Sequence, residues 1–153
     1  MTLQEIFDKA ARHLMHMDGP SMDTINMACA YRGEDHGEFN GKMCAVGVFI
    51  KDEFYDEGFE GRQMNSTDVE LHNAIAKSIG QEKLTQDQAE LLAELQVAHD
   101  GPNGESNSSP DIWMVSVIKT LDQIAVGHGF PFDPVHINPH YLVRHAVLKG
   151  DAL

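Results

Sequence analysis

The sequence predicts an α+β fold, mainly helical, with about five helices around a small antiparallel hairpin. Three observations predict it. Capping-box spacings at Thr2/Glu5, Thr67/Glu70 and Thr85/Gln88 each precede apolar residues at helical intervals. Ile25, Met27, Cys29 and Tyr31 share one parity, as on the core face of a strand. After a polar turn, Met43 to Ile50 is an apolar run rich in β-branched residues. A wholly helical bundle is the alternative, because a short apolar run has no period to separate a strand from a buried helix beginning near Cys44.

The first helix follows from Leu3, Ile6, Phe7, Ala10, Leu14 and Met17, and it stops at Asp18-Gly19-Pro20. Strands over 25–31 and 43–50 are expected to pair, joined by the polar residues 32–41. Asp52 to Gly61 reads as an irregular acidic connection. Val69, His72, Ala76 and Ile79 mark a second helix closed by Gly80, and Leu91, Leu92, Leu95 and Ala98 mark a third. Residues 100–109 have the composition of a surface loop. Ser109 is placed to cap a helix with Pro110 at its first position, Trp113, Val115, Val117, Ile118, Leu121 and Ile124 inward, and Gly127 at its end. Asn138-Pro139 opens a last short helix with Leu142, Ala146 and Val147. At 153 residues with no internal repeat, one domain over 1–153 is expected.

Charge narrows the partners. The formal charge is −13, and such a surface repels phosphate backbones, whose binding depends on Lys and Arg releasing counterions. Nucleic acid and anionic membranes are disfavoured; a basic protein partner, or a surface that imitates nucleic acid, stays open. Met1 to Met17 lacks the basic start and unbroken apolar run of a secretory signal, and no stretch approaches the ~18 apolar residues of a membrane span. A cytoplasmic setting is therefore expected, where two cysteines are thiols rather than a disulfide. The sequence sets no oligomeric state.

The sharpest catalytic candidate is a thiol nucleophile, Cys44, with His99 as its base. It requires Cys44 at a helix N-terminus, where backbone N–H groups favour the thiolate, and His99 folded against it. Asp100 follows His99 directly, but adjacent helical side chains diverge by roughly 100°, so an orienting role is not assumed. The plain alternative makes Cys44 a small buried hydrophobe and His99 a helix-ending residue. No cofactor or metal is expected. His128, His136, His140 and His145 match no zinc-finger spacing, a site from Cys29, Cys44 and a histidine needs the hairpin to pair them, and phosphate-loop and nucleophile-elbow patterns are missing.

A binding face is the other candidate. Asp52, Glu53, Asp56, Glu57 and Glu60 interleave with Phe54, Tyr55 and Phe59, and aromatic anchors rimmed by charge are typical of interfaces. The same pattern also suits a loop whose aromatics pack inward under solvated carboxylates. Arg32, beside Glu34, Asp35 and Glu38, is expected in an internal ion pair.

Cys29-Ala-Tyr-Arg-Gly33, then Gly41-Lys-Met-Cys44-Ala-Val-Gly47 through Ile50, Asp52-Glu53 and Tyr55, then Glu60-Gly61 and Leu92 to Asp100, form a combined pattern. It resembles a group of small uncharacterised proteins encoded by bacteriophages and bacterial genomes, over roughly the first two thirds of the chain. This chain departs from the commoner pattern at Lys51, where Pro often stands, and at Val48-Phe49, where a second Cys often follows Gly47. The resemblance implies a phage or mobile-element setting and no particular reaction.

The expected function is thus a small acidic phage-type accessory protein that binds a host or phage macromolecule without catalysis. The alternatives are a Cys44/His99 hydrolase or transferase, and a small-molecule sponge that gathers a nucleotide phosphate with Arg32, Lys42 and Arg62.

Overall fold

The computed structural model describes residues 1–23, 28–32, 42–64, 67–100 and 110–138. Among them the helices are α1 (Leu3–Met15), α2 (Val69–Ser78), α3 (Gln86–Asp100), α4 (Pro110–His128) and the single turn α5 (Pro134–Ile137). Helices α1, α3 and α4 pack on one another, while α2 lies against the 52–54 turn. Phe7, Leu14, Leu91, Leu95, Trp113, Val117 and Leu121 meet in the core, all with no exposed surface. Burying side chains of this size contributes about 1.5–3 kcal/mol each, which is why the helices hold one another in place.

The expected α+β class is overturned. The only β structure among the described residues is a ladder of two residues on each side, β1 (Met22–Asp23) and β2 (Ala28–Cys29), with Met22 opposite Cys29 and Asp23 opposite Ala28. Residues 43–50 do not pair with it. They wind through a turn into a 3₁₀ turn over Gly47–Phe49, with Phe49 N–H donating to Val46 C=O at 3.0 Å and Ile50 N–H to Gly47 C=O at 3.0 Å. Apart from this short ladder, the described residues fit the all-α alternative. The physical reason lies in the run itself: Cys44, Ala45, Val46, Phe49 and Ile50 are all buried, so nothing alternates, and apolarity alone does not impose extension. Ile25 and Met27 of the expected first strand lie outside the described residues.

Local signals set most helix ends. Thr2 and Glu5 form a reciprocal box, Glu5 N–H donating to Thr2 Oγ1 at 3.2 Å and Thr2 N–H to Glu5 Oε2 at 2.7 Å. Thr85 and Gln88 repeat it at 3.2 and 3.0 Å. At α2 the cap is Asp68 rather than Thr67, its Oδ1 accepting Leu71 N–H at 3.1 Å. Gly80 ends α2 at φ +77°, and Gly129, not Gly127, takes the left-handed turn after α4 at φ +70°. Val69 and Val115, expected inward, are exposed. Ser109 and the helix expected after Asn138 lie outside the described residues; Asp133 caps the short α5 instead.

Candidate functional site

Between β2 and α2 the chain makes two more 3₁₀ turns, over Asp52–Phe54 and Glu57–Phe59, and folds back on Tyr31 and Arg32. Glu60 closes that return. Its carboxylate accepts Tyr31 N–H at 2.9 Å and Arg32 N–H at 3.0 Å, one on each oxygen, and Tyr55 O–H at 2.7 Å. The Arg32 guanidinium donates to Ile50 C=O at 2.7 Å, pairs with Asp52, and lies 4.5 Å from the Tyr55 ring centroid. Tyr31 O–H donates to Arg62 C=O at 2.8 Å and accepts from Gln96 Nε2 at 3.3 Å, and Gln96 Oε1 takes Met64 N–H at 2.6 Å. Gly47 completes the fit: a Cβ there would sit 2.0 Å from Tyr31 O, so only glycine lets the two segments approach. Described residues of the combined pattern thus clasp one another. Burial and the Glu60 hydrogen bond push the Tyr55 phenol well above its ordinary pKa.

The thiol and imidazole of the catalytic candidate are both inside. Cys44 has no exposed surface, and its Sγ accepts Gly47 N–H at 3.4 Å. His99 is equally buried; its Nε2 accepts Ser21 N–H at 2.9 Å and its Nδ1 lies 3.0 Å from Asp100 Oδ1. A backbone N–H can only donate, so the ring proton in this arrangement sits on Nδ1, facing Asp100. Asp100, the last residue of α3, thus reaches the ring of its neighbour although adjacent helical side chains diverge. The nitrogen that a general base would use is therefore already occupied by main chain. His99 C=O also accepts Trp113 Nε1–H at 2.7 Å, which ties α3 to α4.

Next to it, His13 of α1 donates from Nε2 to Met43 C=O at 2.7 Å, while Ser21 Oγ donates to Lys42 C=O at 3.1 Å. Burial holds the His13 imidazole below its ordinary pKa; the Met43 bond opposes this, and neighbouring His99 and Lys9 add to it. Two imidazoles thus fasten the 18–21 and 42–44 segments to α1 and α3. Neither His13 nor Ser21 stands out in the sequence, because the side chain of each reaches a main-chain group far along the chain.

The acidic segment divides by direction. Phe59 is buried, Phe54 and Tyr55 are half-buried against the core, and Glu60 is turned inward, whereas Glu53, Asp56 and Glu57 face solvent. Asp52 is exposed beside Arg32, and Asp56 Oδ1 accepts Gly58 N–H at 2.7 Å. The segment forms one wall of an open groove of about 550 Å³, lined by Glu53, Phe54, Tyr55, Asp56 and Phe59 on one side and Arg62, Glu70, Asn73 and Lys77 on the other. Arg62 pairs with Asp68 at 3.3 Å and Glu70 at 3.1 Å, and its guanidinium also lies 5.7 Å from the Phe59 ring centroid.

The three cations considered for phosphate each hold a carboxylate: Arg32 with Asp52, Lys42 with Asp18 at 2.6 Å, and Arg62 as above. His128 Nε2 is 2.8 Å from Glu94 Oε2. Among the described residues no group of three His, Cys, Asp or Glu side chains is placed to hold a metal, and no helix is long and apolar enough to cross a membrane. His140 and His145 lie outside them. Comparison with protein-family models, curated proteins and solved structures finds no match to this chain.

Proposed function

We propose that this is a small acidic accessory protein of phage type, acting without catalysis by binding a Lys/Arg-bearing segment of a host or phage protein along the 52–60 wall of the groove. One observation carries the reading: Glu53, Asp56 and Glu57 point outward together over half-buried Phe54 and Tyr55, on a wall stiffened from behind by Glu60 and Arg32. A pre-formed wall loses little entropy when it binds, and its charge selects a cationic partner and speeds encounter. The thiol reading has less support, since Cys44 and His99 Nε2 are both engaged by backbone N–H groups in the interior.

Fluorescence anisotropy with a labelled Lys/Arg-rich peptide tests this against simple attraction to a negative molecule. Reversing Glu53, Asp56 and Glu57 to Lys is expected to weaken binding by about 10–100-fold, each exposed charge contributing roughly 0.2–1 kcal/mol before the added repulsion. Reversing Glu82, Asp87 and Glu90, exposed near the start of α3, changes the net charge equally and is expected to weaken binding by less than about threefold. Equal losses in both variants, or none in either, would overturn the assignment.

A further inference from the structure

Helix α4 carries on its outer side what a self-pairing helix needs. Its core-facing residues are accounted for by Trp113, Val117, Leu121 and Ile124, yet Ile112, Val115 and Val126 remain 56%, 37% and 76% exposed. Together with exposed Lys119 and Asp122 they recur at alternating steps of three and four residues, the spacing of one continuous seam opposite the core. The charge on this seam is also unlike that of the rest of the chain. In a protein with 24 carboxylates and 11 Lys and Arg, the seam itself holds one Lys and one Asp, with exposed Asp111 at its edge. Depletion of charge around apolar side chains is the compositional mark of an interface centre.

We infer that the outer face of α4 is an interface with a second copy of this chain, the two helices packing antiparallel about a two-fold axis between Lys119 and Asp122. The occupant follows from charge. A two-fold contact repeats every pairing, so it needs a surface complementary to itself. In the antiparallel register that brings Lys119 of one copy against Asp122 of the other, the same pair recurs on the far side of the axis. Val115 then meets Val126 of the second copy, also twice, because both pairs are separated by the same four residues along the helix. A strongly cationic partner of the kind proposed for the 52–60 wall finds no such complement here. This inference does not rest on that proposal, and neither test affects the other.

Sedimentation velocity over a wide concentration range, at ~0.3 M salt to screen repulsion between two acidic molecules, reads the outcome. The unaltered chain is expected to pass from monomer to dimer as concentration rises. Lys119→Asp sets two Asp side chains against each other at both sites and is expected to weaken dimerisation by at least about tenfold. Val126→Glu is expected to abolish it. The swap Lys119→Asp with Asp122→Lys restores the pairing with reversed sign and is expected to return the dimer to within about threefold of the unaltered affinity. All four positions substituted or paired here are exposed, so circular dichroism should show unchanged helix content. A chain that stays monomeric throughout, or a swap that fails to restore dimerisation lost in Lys119→Asp, overturns the inference.

Discussion

Replacing Gly47 with alanine should lower stability by about 3 kcal/mol or more, the upper end of what a single overpacked methyl costs. The methyl would lie 2.0 Å from Tyr31 O and 2.9 Å from Tyr31 C. Both are main-chain atoms, so no side chain can rotate away; one segment has to move by more than an ångström. The same stretch of main chain is anchored by Glu60 at Tyr31 N and Arg32 N, and the opposite segment is anchored by Arg32 at Ile50 C=O. The displacement is therefore resisted at several points, which raises its cost above that of a loose loop. For a chain of this size the melting temperature should fall by roughly 6–12 °C. Chemical denaturation checks it, and a loss below ~1 kcal/mol would show that the close approach is not needed.

Glu60→Gln should cost about 3 kcal/mol by a different route. The change is nearly isosteric and makes no cavity, but it converts one of two acceptor oxygens into a donor. Three N–H and O–H groups converge on this carboxylate, from Tyr31, Arg32 and Tyr55. A glutamine oriented to accept on one side presents an NH₂ to a backbone N–H on the other, leaving a part-buried donor without an acceptor. Loss of the charge weakens the remaining bonds further. The expected signature is a melting temperature lowered by roughly 6–12 °C with helix content retained in the folded state. Equal stability of Glu60→Gln and the unaltered chain would remove Glu60 from its place at the centre of the clasp.

These two positions also mark where the sequence stops being readable. The starts of α1 and α3 were legible because a capping box is a local device: Thr2 with Glu5 and Thr85 with Gln88 satisfy donors three residues away. At α2, Thr67 and Asp68 are both competent caps and adjacent, and only tertiary position decides for Asp68. Residues 43–50 suit a strand or a short buried helix equally in sequence, because their apolarity reports burial and says nothing of winding; Gly47, which opens the 3₁₀ turn, lies against Tyr31, a contact between segments. Glu60 reads in isolation as one more solvated acid among Asp52, Glu53, Asp56 and Glu57. Its inward role depends on Tyr31 and Arg32 arriving from far earlier in the chain. His99 reads by residue type as a base, yet its Nε2 is held by the main chain of Ser21, and a main-chain partner leaves no residue-type signal.

A functional reading follows from the clasp. Of the pattern that looks most like chemistry in the sequence, Arg32, Cys44, Gly47 and the His99-Asp100 pair are bound up in internal contacts of 28–32, 42–64 and α3. In the 52–60 segment the side chains of Asp52, Glu53, Asp56 and Glu57 remain turned to solvent. The most direct measurement is alkylation of Cys44 near neutral pH, read by mass spectrometry on the peptide that carries it and separately from Cys29. A thiol packed at zero exposure should be modified only as fast as the chain unfolds, with its protection disappearing across the denaturant transition. Selective modification of folded protein at pH 6, at the rate of an exposed thiol or faster, would contradict the account and put Cys44 back at the centre of an active site.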